Sequence, residues 1–172
     1  MQASNQAISR RRQKLHLSAN QLPEEARMAV IAELNSNVCD TIDLMTHIKM
    51  AHWNLKGPTF AAVHPLLDTF AEAMIEHGDE MAERATSMGG HIYATARHVA
   101  ANSRLTEYPQ DTTLDLEHVK HLSERFKECI KGLHQTLGVA AANHDDASVE
   151  LVTGVIIDLE QKAWFLLAHL DN

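Results

Sequence analysis

Aromatic residues make up only 5% of this 172-residue chain, with just seven glycines and four prolines. Strands favour aromatic and β-branched side chains, so a sheet protein is a poor fit. Leucine, alanine and methionine carry the packing instead, which points to helices. Long apolar runs are also missing. The longest, such as Ala163–Ala168, fall far short of the ~20 residues that a membrane-spanning helix needs. The opening stretch, MQASNQAISRRRQKLHLS, contains no apolar segment of a secretory signal. Cysteine is nearly absent. Cys39 and Cys129 stand alone without CxxC spacing and read as buried, reduced thiols of a cytoplasmic protein. Acids are absent from the first 22 residues, which hold Arg10, Arg11, Arg12 and Lys14; residues 23–172 carry the other 11 bases and all 23 acids. A basic, flexible tail over 1–22 on an acidic body over 23–172 implies two electrostatic roles.

The body reads as helices in sequence. Pro23 with Glu24 and Glu25 suits a first helical turn. Ile31, Leu34, Val38, Ile42, Met45 and Ile48 then recur at steps of three and four until Gly57-Pro58. The next position on that apolar stripe is His52. A second helix is predicted from about Phe60 to Met88, with Val63, Leu67, Phe70, Met74 and Met81 inward and Gly89-Gly90 beyond. Residues 91–112 form a connection with one short helix around IYATARHVAA. A third helix after Asp111 turns Val119, Leu122, Phe126, Cys129, Ile130, Leu133 and Leu137 inward, with Gly138 near its end. The fourth starts near Asp145-Asp146 and carries Val149, Val152, Ile156, Leu159 and Leu166. The expected fold is an all-α four-helix bundle with a short extra helix in its middle connection.

The second helix carries an unusual set of polar groups. His64 and Asp68 are four apart, as are Asp79 and Glu83, so each pair shares a face. Asp68 to Asp79 is three full turns with about 20° of drift, which puts all four on one stripe flanking the apolar face. At 1.5 Å per residue, however, His64 and Glu83 are about 28 Å apart and Asp68 and Asp79 about 16 Å. Metal–ligand bonds are near ~2 Å, so one helix cannot bring both pairs to one ion. A second, antiparallel copy can. The pairs share a centre between Ala73 and Met74, and rotation about a two-fold axis there sets His64 against Glu83 and Asp68 against Asp79. Two identical metal sites shared between subunits are the expectation, with His52 reaching over from the first helix. Imidazole with carboxylate suits Fe(II), Mn(II) or Zn(II) rather than Cu(I). Pro65 disfavours helical conformation at His64 and is expected to shift or bend the helix start.

The remaining histidines singled out, His77, His91, His98, His118, His121, His134, His144 and His169, read as surface or structural groups. His118 and His121 lie one turn apart, a spacing that accommodates a stray zinc, but nothing completes a site.

The run HWNLKGPTFAAVHPLLD followed by DEMAERATSMGG closely resembles the Dps family, the miniferritins named as DNA-binding proteins from starved cells. The likeness extends from about Pro23 to the last helix. It also separates the chain from ordinary ferritin, whose intra-bundle di-iron site needs Glu-x-x-His motifs that this sequence lacks. The resemblance implies a hollow dodecamer with di-iron ferroxidase sites at two-fold interfaces. His52, His64 and Asp68 would come from one subunit and Asp79 and Glu83 from its neighbour, the arrangement that distance alone suggested. It implies Fe2+ oxidation by hydrogen peroxide in preference to dioxygen, storage of Fe3+ mineral in the cavity, and Zn as a surrogate ion. Trp53, beside His52, matches a family tryptophan able to give up an electron; core packing is its plainer role. Lys49, one turn earlier, is placed to balance site charge. Gly78 stands where a bulky apolar residue is usual in the family.

Relatives admit iron through acidic three-fold pores near the start of the last helix, where Asp145, Asp146 and Glu150 fall; helix capping explains the first two equally well. Arg10, Arg11, Arg12 and Lys14 offer DNA phosphate contacts that many copies would multiply, or else pack on a neighbouring subunit. The expected location is the cytoplasm, on the nucleoid if DNA is bound.

Overall fold

The computed structural model describes residues 15–171 and contains five helices: α1 Glu24–Asn54, α2 Phe60–Ser87, α3 Ala96–Asn102, α4 Asp115–Ala142 and α5 Asp146–Leu167. Helices α1 and α2 form one antiparallel hairpin and α4 and α5 the other, joined by a long connection that contains α3. No strand occurs among the described residues; Lys56 and Leu114 make one isolated bridge. No helix among them is long and apolar enough to cross a membrane.

Each helix starts where local chemistry favours it. Acids occupy the first turns of α1 (Glu24, Glu25) and α4 (Asp115, Glu117), opposing the positive end of the helix dipole. Asp145 is the N-cap of α5, its carboxylate accepting the Ser148 N–H. The α4–α5 turn is tight because His144 adopts a left-handed φ of 55°. Most of the expected inward residues interlock: Leu34, Ile48, Leu67, Met74, Met81, Leu122, Leu133, Leu159 and Leu166 are fully enclosed, and Phe70 meets Phe126 edge-on at 5.8 Å. On α1 it is Leu44 that is enclosed, while Ile42 and Met45, expected inward, are half-buried, as are Ile130, Leu137 and Val149. Each fully enclosed side chain contributes about 1.5–3 kcal/mol of burial.

Two polar devices fix how the hairpins meet. Asp115 accepts hydrogen bonds from the Thr59 N–H (2.7 Å) and hydroxyl (2.6 Å), tying the α1–α2 loop to the start of α4. Its carboxylate fills the space where a Cβ on Gly57 would sit, and Gly57 has φ +152°. Glycine is required there on both counts. Across the bundle, buried Asp40 accepts from the Arg104 backbone and guanidinium (both 2.8 Å), while the same guanidinium donates to Asn37 (2.6 Å) and Asn37 to Thr136 (2.6 Å). Gly132 leaves the guanidinium its room: a Cβ there would lie 2.5 Å from Arg104.

Gly138 lies one turn before the end of α4 at Ala142, near its end as expected. The structure departs from the sequence expectations in three places. Pro65 lies inside α2 without displacing its start at Phe60; as the sixth helical residue it forgoes one backbone bond, the one its N–H would have made to Ala61. The short helix begins only at Ala96. Residues 15–22, assigned to a flexible tail, lie against the bundle: the His16 N–H donates to Gly89 O (2.8 Å), Ser18 to Ser87 O, and Leu15 and Leu22 pack on the core.

Candidate metal centre

His52 closes the last turn of α1 and His64 the first turn of α2, so the five-residue loop between the helices folds the two imidazoles together. Their rings stack at 3.8 Å. Each Nδ1 bonds the other residue's backbone carbonyl, His52 to His64 O at 2.9 Å and His64 to His52 O at 3.1 Å. A carbonyl only accepts, so each Nδ1 carries a proton, and in the neutral ring Nε2 is the nitrogen that keeps the lone pair. Such outer hydrogen bonds are what orient metal-binding imidazoles. Phe60 stacks on the far face of His64 at 4.8 Å and further limits its rotation.

Asp68 sits beside this pair, 3.5 Å from His52 Nδ1, and is ion-paired to Lys49 at 2.7 Å. The Lys49 ammonium, donating a hydrogen bond, is the main cause that holds the Asp68 carboxyl below its ordinary range. Lys49 also lies 5.8 Å from the Trp53 ring centre. Trp53 itself is 71% exposed, so the core-packing role expected for it does not apply in this chain.

Asp79 and Glu83 lie exposed far along the same helix, about 16 Å and 22 Å beyond Asp68. The chain thus gathers His52, His64 and Asp68 and leaves Asp79 and Glu83 apart. Among the described residues no group of three imidazoles, thiols or carboxylates is set to hold an ion. Between the two ends an apolar trough of about 400 Å³ runs along α1 and α2, lined by Val38, Ile42, Met45, Met74 and Ile75. Ile75 is 61% exposed, and a Cβ on Gly78 would meet only Thr41, at 3.8 Å. Gly78 therefore deepens the trough.

The other candidate residues divide. Asp145 is buried, bonded to Ser148 and to the Arg84 guanidinium at 2.6 Å; within this chain it caps a helix. Asp146 and Glu150 are exposed. Arg10, Arg11, Arg12 and Lys14 lie outside the described residues. His118 is fully buried, its Nδ1 bonded to the Tyr108 hydroxyl at 2.7 Å, which takes it out of any surface pairing with His121. His77 bonds Asp158 at 2.7 Å. Sequence reading overlooked His47, which is buried and 3.5 Å from Asp43; the three-residue gap between them was the available signal.

A helix pair crossed with a second pair over a long connection, with paired imidazoles at one hairpin, defines a ferritin-like protein, and the ferritin-like domain family matches residues 31–172. The chain is 37% identical over 159 residues to the "DNA protection during starvation protein" of Agrobacterium fabrum, covering 92% of this chain and 98% of that one. Among solved structures it superposes on DpsC from Streptomyces coelicolor with a TM-score of 0.87 at 27% identity, covering 95% of this chain and 97% of the other. DpsA14 from the same organism gives 0.88 at 27% identity, covering 93% and 95%. The chain belongs to the Dps family.

Proposed function

We propose that this protein is a ferroxidase and iron store, oxidising Fe(II) with hydrogen peroxide, or dioxygen, at di-iron sites shared by two-fold related subunits of a hollow dodecamer. The Fe(III) product is kept as mineral in the cavity, which protects DNA from oxidative damage; the name of the Agrobacterium relative points to the same role. The observation that carries this reading is the reciprocally bonded His52–His64 pair beside Asp68. With Nδ1 held by a carbonyl, Nε2 is the nitrogen each ring has left to bind a metal, and its direction is already set. Asp79 and Glu83 of a second copy supply the missing carboxylates, and exposed Ile75 and the apolar trough sit at the centre of the two-fold contact that would bring them there.

The chemistry follows from electron counting. Hydrogen peroxide needs two electrons and two protons to become two waters, and two Fe(II) ions supply both electrons. A lone Fe(II) supplies one and releases hydroxyl radical. Pairing the irons is therefore what makes the reaction protective. Carboxylate oxygens favour Fe(III) as product by charge and hardness. Trp53, exposed beside His52, is the nearby side chain able to give an electron when one iron is missing.

Chain mixing tests the shared site. A His52→Ala, His64→Ala chain and an Asp79→Ala, Glu83→Ala chain are each expected to lose rapid Fe(II) oxidation in stopped-flow absorbance. Co-assembled in equal amounts, they should recover about a quarter of the sites, since half the random pairs are mixed and each mixed pair rebuilds one site. No recovery from properly assembled mixtures would reject ligands donated by two chains. A second role, compacting DNA through Arg10, Arg11, Arg12 and Lys14, predicts a gel shift that fades with salt and disappears without residues 1–14.

A further inference from the structure

Exposure alternates along residues 91–95, between α2 and α3. His91, Tyr93 and Thr95 are open to solvent, while Ile92 and Ala94 are half-buried. An extended chain produces this alternation, because successive side chains point to opposite sides. Ile92 and Ala94 line the apolar trough, so Tyr93 faces away from it. The backbone here is fixed by α1. The Asn35 side chain donates to His91 O (3.0 Å) and accepts from the Tyr93 N–H (3.1 Å), and the Cys39 thiol donates to Tyr93 O (3.6 Å). His91 meets the Tyr93 ring edge-on at 4.7 Å, and His98 from α3 lies tilted against it at 5.7 Å. Burial does not account for a tyrosine held this way: Tyr93 is 43% exposed and stands outside the hydrophobic core.

Positive charge gathers at the same place. Arg97, one residue before His98, is exposed and makes no ion pair among the described residues. The acids that flank Asn35 and Cys39 on α1 are turned to another cation, with Glu33 at 3.9 Å and Asp40 at 2.7 Å from Arg104. His16 bonds Gly89, two positions before His91. The segment carrying Arg10, Arg11, Arg12 and Lys14 therefore joins the fold beside this surface. An open aromatic ring next to an unpaired guanidinium matches a polyanion that has aromatic faces of its own. Duplex DNA keeps those faces inside its base stack, whereas a single strand offers them.

We propose that Tyr93 and Arg97, with His98 backing the ring, form a binding surface for single-stranded nucleic acid, one base stacking on Tyr93 and a phosphate held by Arg97. This goes beyond the tail contact, since cations on a tail meet phosphates without reading bases. Fluorescence anisotropy of labelled strands on the assembled protein tests it. An oligothymidylate of about 20 nucleotides should bind about fivefold or more tighter than an abasic strand of the same length. Tyr93→Ala should abolish that preference and leave the abasic strand bound as before, while Tyr93→Phe, which keeps the ring, should retain it. Arg97→Ala should weaken both strands. Deleting residues 1–14 lowers both affinities together if the tail grips phosphates, but their ratio, set by Tyr93, should not change, so the two readings fail separately. Equal binding of the two strands, a preference that survives Tyr93→Ala, or full binding of both strands by Arg97→Ala would overturn the proposal.

Discussion

The two ends of α2 carry matching numbers of ligand-type residues and treat them in opposite ways. At the N-terminal end, His64 and Asp68 are locked to α1 by a ring stack, two hydrogen bonds and an ion pair. At the C-terminal end, Asp79 and Glu83 stand in solvent. Imidazole rings have two inequivalent nitrogens and must be aimed, so they benefit from outer hydrogen bonds. Carboxylates bind through either oxygen and tolerate adjustment. The chain orders its imidazoles, where orientation matters, and leaves the two carboxylates in solvent.

The largest expected effect removes the base on which both ends stand. Phe70 packs between them against Phe126, and Phe70→Ala should cost about 3–5 kcal/mol in calorimetric unfolding. Next come the ends themselves: His52→Ala and Asp79→Ala should each slow peroxide-driven Fe(II) oxidation by about 100-fold or more. If only the ordered end mattered, Asp79→Ala would oxidise iron at the normal rate. A smaller effect of opposite sign is expected at Lys49. Its ammonium already occupies Asp68, so Lys49→Met should tighten Zn(II) binding several-fold by calorimetry. Asp68 rises toward its ordinary value of 3.8 in that variant and remains ionised at pH 7, so the change reports charge rather than protonation.

The smallest effect concerns acid. Thr59 hydrogen bonds lower the Asp115 carboxyl in the folded chain. Its contribution is thus complete above the unfolded value near 3.8 and is lost as pH falls through the lower folded value. Denaturant midpoints should fall more steeply below pH 4 in the wild type than in Asp115→Asn, which lacks that contribution at every pH. Equal slopes would show that Asp115 does not couple the α1–α2 hairpin to α4.

Helix number and most of the inward faces were legible because apolar spacing along each helix marks them. Apolar steps of three and four placed Leu67, Phe70 and Met74 correctly. The reciprocal bonds of His52 and His64 were not legible, since they depend on how a five-residue loop brings two helix ends together. Nor was the exposure of Trp53, because a tryptophan near an apolar stripe has no marker that says which side it takes. Asp145 had two readings in sequence; its bond from the Ser148 N–H is the capping one, whereas its contact with Arg84, 61 residues earlier, had no local marker. His47 was missed for a related reason: the cavity it lines exists only because residues 103–110 return across α1.

The bond from His16 to Gly89, with Ser18 on Ser87 and Leu15 on the core, has a consequence for anything that residues 1–14 do. It moves their point of departure from the start of α1 to the far end of α2. From that anchor a fully stretched leash of fourteen residues reaches at most about 50 Å. Arg10, only five positions from Leu15, lies within about 18 Å of it along any chain path. A polyanion meeting those arginines would therefore come close to the end of α2, and a cut just before Leu15 would remove them without loosening a single helix.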